Sequence, residues 1–359
     1  MRIGKKSFLF LTSVMLVSTF LLSACGSSSK RGETGKDATP PQSSTASVKA
    51  KVLKFSHTDT PNGARQQTAE LFAKKVEEYT QGRYKVEVFH SGQLANDAKA
   101  LEMLQNGSID LTVAGNIVYA NHVKEFNLTS LPYLVDTYEQ GWKFYDESPW
   151  MQETKGKFVD KGMRILSTWE AGFRNFTTKD KFETLADVKG KKLRIFQNDM
   201  ILWTMKALGF NPVTMPVTEA YLAIQQGTVD GQENPVDTIY SQKFNEVAPY
   251  ITMTQHIYGP IPLAISEKTW KTIPKEDQDA IAKAAQESAD FSRKTVTDNE
   301  TKLLDEMKAK GAKVFTPNLD ELKQAVKPVY DKASEVYTKE VVDRVLKDAE
   351  NIKAKYPKK

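Results

Sequence analysis

Two hydrophobic periods take turns along this chain. Val52 to Ser56 reads as a strand, Pro61-Asn62-Gly63 turns the chain, and Ala69, Phe72, Ala73 and Val76 fall on one face of a helix running to about Tyr79. Gln81-Gly82 ends that helix, and Tyr84 to Phe89 alternates as the next strand. Asn96 and Asp97 are capping residues for a second helix carrying Leu101 and Leu104. Gly107 closes it, and Ile109 to Ala114 is a third strand. The order is βαβαβ.

The same order returns after residue 190. Lys192 to Phe196 is a strand, Ile201, Leu202, Met205 and Leu208 mark a helix closed by Gly209, and Pro212 to Met215 is a short strand. Thr218 can cap a helix that ends at Gln226-Gly227, and Val229 begins another strand. The closing segments of the two units align. Ala100-Leu101-Glu102-Met103-Leu104-Gln105-Asn106-Gly107-Ser108-Ile109-Asp110 lies over Ala220-Tyr221-Leu222-Ala223-Ile224-Gln225-Gln226-Gly227-Thr228-Val229-Asp230 at a constant offset of 120. Chance likeness of two helix–Gly–strand joints is the competing explanation.

Two βαβαβ units predict an α/β protein of two domains with mostly parallel sheets. Ligands of such sheets sit outside the carboxyl ends of the strands, so two domains joined by crossover strands can face a common cleft. The last third is helical. Pro274 suits the first turn of a helix, Glu276 and Asp277 favour its dipole, and apolar positions continue from Ile281 to Met307 before Gly311. About 35 residues of helix span about 50 Å, enough to lie across both domains. Two further amphipathic helices follow, one with Leu322, Ala325, Val326 and Val329, the other with Val342, Val345, Leu346 and Ala349. Lys353 to Lys359 reads as a frayed tail.

The start of the chain changes the picture. Arg2, Lys5 and Lys6 precede an apolar run from Phe8 to Leu22. That run is shorter than the roughly 20 residues of a membrane-spanning helix, so a cleaved export signal is expected over residues 1–24. Leu22-Ser23-Ala24-Cys25 resembles a bacterial lipobox, in which the cysteine takes lipid. Cys25 is the single cysteine in 359 residues, which excludes an intramolecular disulfide. Residues 25–50 carry little to bury and read as a tether. Losing the three basic residues of the signal takes the formal charge from +5 to +2, and the remaining charges are interleaved, which argues against nucleic acid. We therefore expect residues 51–171 with 260–299 to form one domain and 172–259 with 300–359 the other.

Three stretches carry a family likeness: Gln225-Gln226-Gly227-Thr228-Val229-Asp230-Gly231-Gln232-Glu233-Asn234-Pro235, Gly172-Phe173-Arg174-Asn175-Phe176-Thr177-Thr178, and Gly190-Lys191-Lys192-Leu193-Arg194-Ile195. With Gln93-Leu94 and Leu131-Pro132-Tyr133 they resemble the DctP-type receptors of tripartite ATP-independent periplasmic (TRAP) transporters across residues 51 to 350. The resemblance implies a periplasmic-binding-protein-like fold and a monomeric receptor with no cofactor. It would close on a small organic carboxylate and pass it to a membrane permease. The resemblance puts the key carboxylate-binding arginine on Arg194, a second ligand-facing arginine on Arg174, and a ligand-contacting asparagine on Asn234. It also points to Gly115 and Asn116 after the third strand. Gly115 stands where some sialic-acid receptors have glutamate, and Val217 where a phenylalanine is common. Trp203 to Gly209 and Thr254 to Tyr258 resemble the sugar-acid and C4-dicarboxylate branches alike.

Read for themselves, these residues allow a blander account. Arg194, between Leu193 and Ile195, is either a two-pronged donor to a ligand carboxylate or part of a salt bridge. Arg174 lies in the aromatic stretch Trp169 to Phe176 and can meet an anion or stack. Asn234 suits a carboxylate beside hydroxyls, or its own turn. Trp169 and Tyr258 line a pocket or pack in a core. His57 and Thr58 follow the first strand, in the right place for a cleft, and Asp97 is a helix cap or a ligand contact. The histidines lack metal-ligand spacing, and no Gly-x-Ser-x-Gly, Walker or His-Glu-x-x-His motif occurs. An ABC-type receptor or a secreted lipoprotein hydrolase are the alternatives.

Cys25→Ala is expected to release the protein from membranes or leave its signal uncleaved, since stable anchoring takes lipid chains. Fractionation with N-terminal sequencing checks this. A variant that is cleaved yet still membrane-bound excludes the lipid anchor.

Overall fold

The computed structural model describes residues 49–358; the signal segment, Cys25 and the tether up to residue 48 lie outside them. Within the described residues the strands are β1 (Lys51–Ser56), β2 (Tyr84–Phe89), β3 (Leu111–Val113), β4 (Met163–Trp169), β5 (Phe173–Thr178), β6 (Lys192–Ile195), β7 (Asn211–Thr214), β8 (Gly231–Pro235), β9 (Tyr250–Tyr258), β10 (Ile261–Ser266) and β11 (Lys313–Phe315). They form two sheets, ordered β2-β1-β3-β10-β4 and β11-β9-β5-β8-β6-β7.

Each sheet is parallel where its βαβαβ unit lies. β1 pairs with β2 and β3, and β6 pairs with β7 and β8. The antiparallel pairs arise where the chain changes sheets. It leaves the first sheet from β4 and enters the second as β5, then returns from β9 into β10. The incoming strands run against their neighbours: β10 against β3 and β4, and β5 against β8 and β9. The sheets are therefore mixed, because the crossover strands sit inside them.

The two crossings touch. The Gly259 amide donates to the Gly172 carbonyl at 3.1 Å. Between β4 and β5 stands Glu170, buried and surrounded by donors. Its Oε1 accepts the amides of Ala171 (3.0 Å) and Gly172 (2.7 Å), and its Oε2 accepts Trp142 Nε1 (2.6 Å) and the Tyr258 hydroxyl (2.7 Å). The long helix Lys275–Ala309 clamps the same point: Ser292 Oγ accepts the Glu170 amide at 3.0 Å and donates to its carbonyl at 3.2 Å. Farther along, Glu300 accepts the Tyr138 hydroxyl at 2.9 Å. Ile281, Ala284, Ala285 and Ala289 of this helix join the core beside the first sheet, and Met307 joins a core beside the second. It lies across both, as its apolar pattern predicts.

The sequence repeat is a structural one. In each copy a glycine in the left-handed region (Gly107, φ 78°; Gly227, φ 77°) ends a helix and is followed three residues later by an aspartate. Asp110 Oδ2 accepts the Lys54 amide of β1, and Asp230 Oδ2 accepts the Lys192 amide of β6, both at 2.8 Å. Each aspartate also bonds back through its own amide, to the carbonyls of Lys54 and Lys192. This bracing replaces the first ladder bonds, so the third strands start at Leu111 and Gly231, two residues later than the apolar pattern suggests.

Three local expectations change. Val217–Gln225 starts after Pro216, which places Thr218 inside the helix. The predicted helix through Leu322 and Val329 is two, Leu319–Ala325 and Lys327–Tyr337, because Pro328 lacks an amide and opens a new helix. Residues to Lys355 are helical and tied down instead of frayed: Lys353 pairs with Asp136 at 2.9 Å, Lys355 with Glu147 at 2.8 Å, and Tyr356 O accepts Gln140 Nε2 at 2.8 Å.

Gly141, inside the helix Tyr138–Glu147, lies against Tyr258, and a Cβ there would stand 2.5 Å from the ring. Alanine normally gains up to about 1 kcal/mol over glycine in a helix. Here Gly141→Ala is expected to lower stability by about 1–3 kcal/mol through overpacking, read from urea unfolding. A gain in stability means that the Tyr258–Glu170 contact is not rigid.

Candidate functional site

Loops at the carboxyl ends of the parallel strands meet around a narrow cavity. The first sheet contributes Thr58, Asp59 and Arg65 from the segment after β1, with Asp97 and Gly115; the second contributes Arg174, Phe196 and Asn234. The two crossings supply Ala171 and Gly259. Bonds close the rim between the two sides. Ser241 Oγ donates to Asp59 Oδ1 (2.7 Å), Gln242 Nε2 to the Thr58 carbonyl (3.2 Å), and Thr60 Oγ1 to the Ser241 carbonyl (3.3 Å). On another edge Asn198 Nδ2 reaches the Ile117 carbonyl (3.1 Å) and Asn127 Oδ1 (2.6 Å).

The strand β8 explains the second-sheet side. Gly231-Gln232-Glu233-Asn234-Pro235 is buried throughout although three of its side chains are polar, which is tolerable only when each is bonded. Gln232 Nε2 donates to Thr177 Oγ1 at 2.8 Å, and Asn234 Nδ2 donates to Gln232 Oε1 at 2.5 Å. Glu233 takes Arg174 in a two-pronged pair, with Nη2 to Oε1 at 2.8 Å and Nε to Oε2; Nη2 also reaches Asn234 Oδ1 at 3.1 Å. Burial alone would push the Glu233 carboxyl up, but Arg174 and His256 beside it hold it down to about 2. His256 is stacked on Phe176, with ring centroids 4.5 Å apart, and its Nε2 lies 3.5 Å from Glu233 Oε2.

Arg194, on β6, is fully buried. Its Nε and Nη2 both donate to the Met215 carbonyl, at 3.0 and 2.8 Å, and its guanidinium lies 4.0 Å over the Phe196 ring. Its Nη1 has no partner among the described residues. Burial, and then neighbouring Arg174, push this guanidinium down to about 9, while Glu233 and Asp97 oppose the shift. The fork that the sequence suggests for a ligand is thus used on a backbone carbonyl, with one nitrogen left over.

The first-sheet side is a chain of polar groups. Arg65 Nη1 donates to Thr58 Oγ1 (3.2 Å), which donates to Asp97 Oδ1 (2.7 Å). Burial raises the Asp97 carboxyl above its ordinary range. His57 lies behind. Its Nδ1 accepts the Asp59 amide at 3.2 Å, which leaves Nε2 to donate to Gln66 Oε1 at 2.8 Å, and burial followed by Arg65 pushes it down to about 3.

Thr58, Asp97, Arg174 and Asn234 are therefore brought together on the cavity, with Arg194 directly behind Phe196. Four other residues singled out in the sequence stand away from it. Trp169 packs in a T-shape on Phe55 and Phe72 in the core, and Tyr258 serves Glu170. Asn116 donates to Thr129 Oγ1 (3.0 Å) and Tyr145 (3.2 Å), while its neighbour Gly115 reaches the cavity. His57 positions the loop. Arg65, Glu233 and Phe196 escaped the sequence reading. Only Glu233, inside the Gln232–Asn234 run, carried a signal: an acid in a strand that has to be buried.

The family described as bacterial extracellular solute-binding protein, family 7, matches residues 55–336. The chain belongs to the DctP family. Relatives within it include the 2,3-diketo-L-gulonate-binding periplasmic protein of Escherichia coli, 30% identical over 76% of this chain and 83% of that protein. Another is the C4-dicarboxylate-binding periplasmic protein of Rhodobacter capsulatus, 30% identical over 79% and 86%. Among solved structures, the sugar acid binding protein of Advenella mimigardefordensis in complex with galactonate superposes with a TM-score of 0.82 at 31% identity, covering 85% of this chain and 99% of that one. DctP-family membership makes this a solute-binding protein rather than an enzyme. Among the described residues no cluster of side chains is suited to a metal.

Because the folded-state Glu233 carboxyl is depressed, its contribution to stability is present above the ordinary value of 4.5 and disappears as pH falls through about 2. Glu233→Gln leaves Arg174 buried without its counter-charge and is expected to cost about 3–5 kcal/mol at pH 7. Urea unfolding of both proteins from pH 7 to 2 is expected to show the gap narrowing below about pH 4.5. A constant gap means that the ion pair is not its source.

Proposed function

We propose that this protein is an extracytoplasmic receptor that captures a small organic carboxylate, a sugar acid or a C4-dicarboxylate, and delivers it to a TRAP permease. The observation that carries the reading is Arg194: a buried guanidinium beside the cavity with one donor nitrogen unsatisfied. Unpaired buried charge is costly, and a ligand carboxylate relieves it with a charge-assisted bond. Arg174 and Asn234 hold the same ligand end, Thr58 and Asp97 the other. Phe196, against which both guanidiniums lie, at 4.0 and 5.7 Å, supplies an apolar wall. Relatives named for 2,3-diketo-L-gulonate and C4-dicarboxylates support the ligand class.

In this reading, residues 51–171 with 260–299 and residues 172–259 with 300–359 are two lobes that close over the ligand. Their rims meet through the bonds of Asp59 and Thr58 to Ser241 and Gln242. The protein works as a monomer held to the outer face of the membrane by lipid on Cys25, an assignment that rests on the sequence alone.

Arg194→Ala is expected to weaken carboxylate binding by about 30-fold to several thousand-fold, the effect of stripping one partner from a buried charge pair. Arg194→Lys is expected to fail nearly as badly, since an ammonium cannot bond Met215 and a ligand while lying flat on Phe196. Calorimetric titration of wild type and folded variants decides. If Arg194→Lys binds within about threefold of wild type, Arg194 is structural and the carboxylate is held elsewhere.

A further inference from the structure

The charges around the cavity are not evenly spread. On the second-sheet side stand Arg174 and Arg194 against Glu233, two guanidiniums and one carboxylate, leaving one positive charge in surplus. On the first-sheet side Arg65 stands against Asp59 and Asp97, leaving one negative charge in surplus. Asp237, just behind that rim, accepts the Ala64 amide at 3.4 Å; burial and then Asp59 push its carboxyl up to about 7, so it adds little charge there at neutral pH.

The acceptors on the first-sheet side are fixed in place. Asp59 Oδ1 holds Ser241 Oγ and the Thr60 amide (2.9 Å), and its Oδ2 is buried with no partner among the described residues. The carboxylate occupies space that exists only because residue 63 is glycine, for a Cβ there would lie 1.8 Å from Oδ2. Asp97 Oδ1 takes the Thr58 hydroxyl. A ligand hydroxyl has a proton to offer such oxygens. A second ligand carboxylate has none, and it would face two carboxylates with one guanidinium near them, whose Nη1 donates to Thr58.

Building on the carboxylate reading above, we infer that the cavity selects a monocarboxylate carrying several hydroxyl groups over a dicarboxylate, with Asp59 and Asp97 as the residues that discriminate. The surplus positive charge takes the single carboxylate, and the surplus negative side takes the hydroxylated end. Hydroxyl recognition by buried acceptors discriminates strongly, because a ligand lacking the hydroxyl leaves those acceptors unpaired.

The test is calorimetric titration of the purified full chain in detergent at pH 7.5 with galactonate, gluconate, succinate and hexanoate. The two aldonates are expected to bind at least about tenfold more tightly than succinate or hexanoate. In Asp97→Asn and Asp59→Asn, which keep shape and remove charge, the aldonate-to-succinate ratio is expected to fall by about tenfold, with succinate gaining in absolute terms. Succinate binding as tightly as the aldonates to wild type overturns the inference and leaves the carboxylate receptor standing. So does a ratio unchanged in both variants. If none of the four binds, the carboxylate reading falls, and the inference with it.

Discussion

Everything in this fold hangs on one buried carboxylate. Glu170 sits where the chain first leaves one sheet for the other, and four donors converge on its two oxygens: two backbone amides, an indole and a phenol. An unpaired carboxylate at that depth is prohibitive, so its partners must all be present together. That requirement ties the helix carrying Trp142, the end of β9 carrying Tyr258 and, through Ser292, the long helix to a single point. Ala171 and Gly259, beside that point, line the cavity, so holding the crossing also holds the cavity's floor.

A second buried carboxylate, Glu233, does the same for the site itself. It neutralises Arg174 and leaves Arg194 as the cation with an open donor. Most polar groups in the interior are satisfied locally, as folded proteins require. Among the buried atoms left without a partner in the described residues, Asp59 Oδ2 and Arg65 Nε belong to residues that line the cavity and Arg194 Nη1 lies behind Phe196; others, such as Trp169 Nε1, Ser266 Oγ and Tyr337 Oη, lie elsewhere. Such unmet demand is tolerated where a ligand can meet it.

Much of this was legible in the chain. Periodicity and glycine punctuation located the helices and strands of both βαβαβ units, because each buries one regular face. The Arg194 and Arg174 positions came from motif likeness; Arg174 lines the cavity, and Arg194 lies behind Phe196. What periodicity could not supply was the partner of each buried polar group. Nothing in the order of residues says that Tyr258 faces Glu170, more than eighty positions away, or that Trp169 faces Phe55 and Phe72 instead of a ligand. An aromatic residue beside a crossing looks the same in either role until the third dimension is known. Pro328 was a missed local signal: a proline in the middle of an apolar stripe should have divided the helix.

The duplicated aspartate brace has one more consequence. Asp110 and Asp230 pin equivalent strands at Lys54 and Lys192, so the residues two places on, Ser56 and Arg194, are structural counterparts. In one half that place holds a small hydroxyl, in the other a guanidinium. Two matched backbones alone would present the same ends to a guest from either side, and side chains have to tell those sides apart. The copies have thus diverged at that place, and a ligand carboxylate that sought Arg194, as proposed above, would enter with one end fixed and the other left to the opposite half.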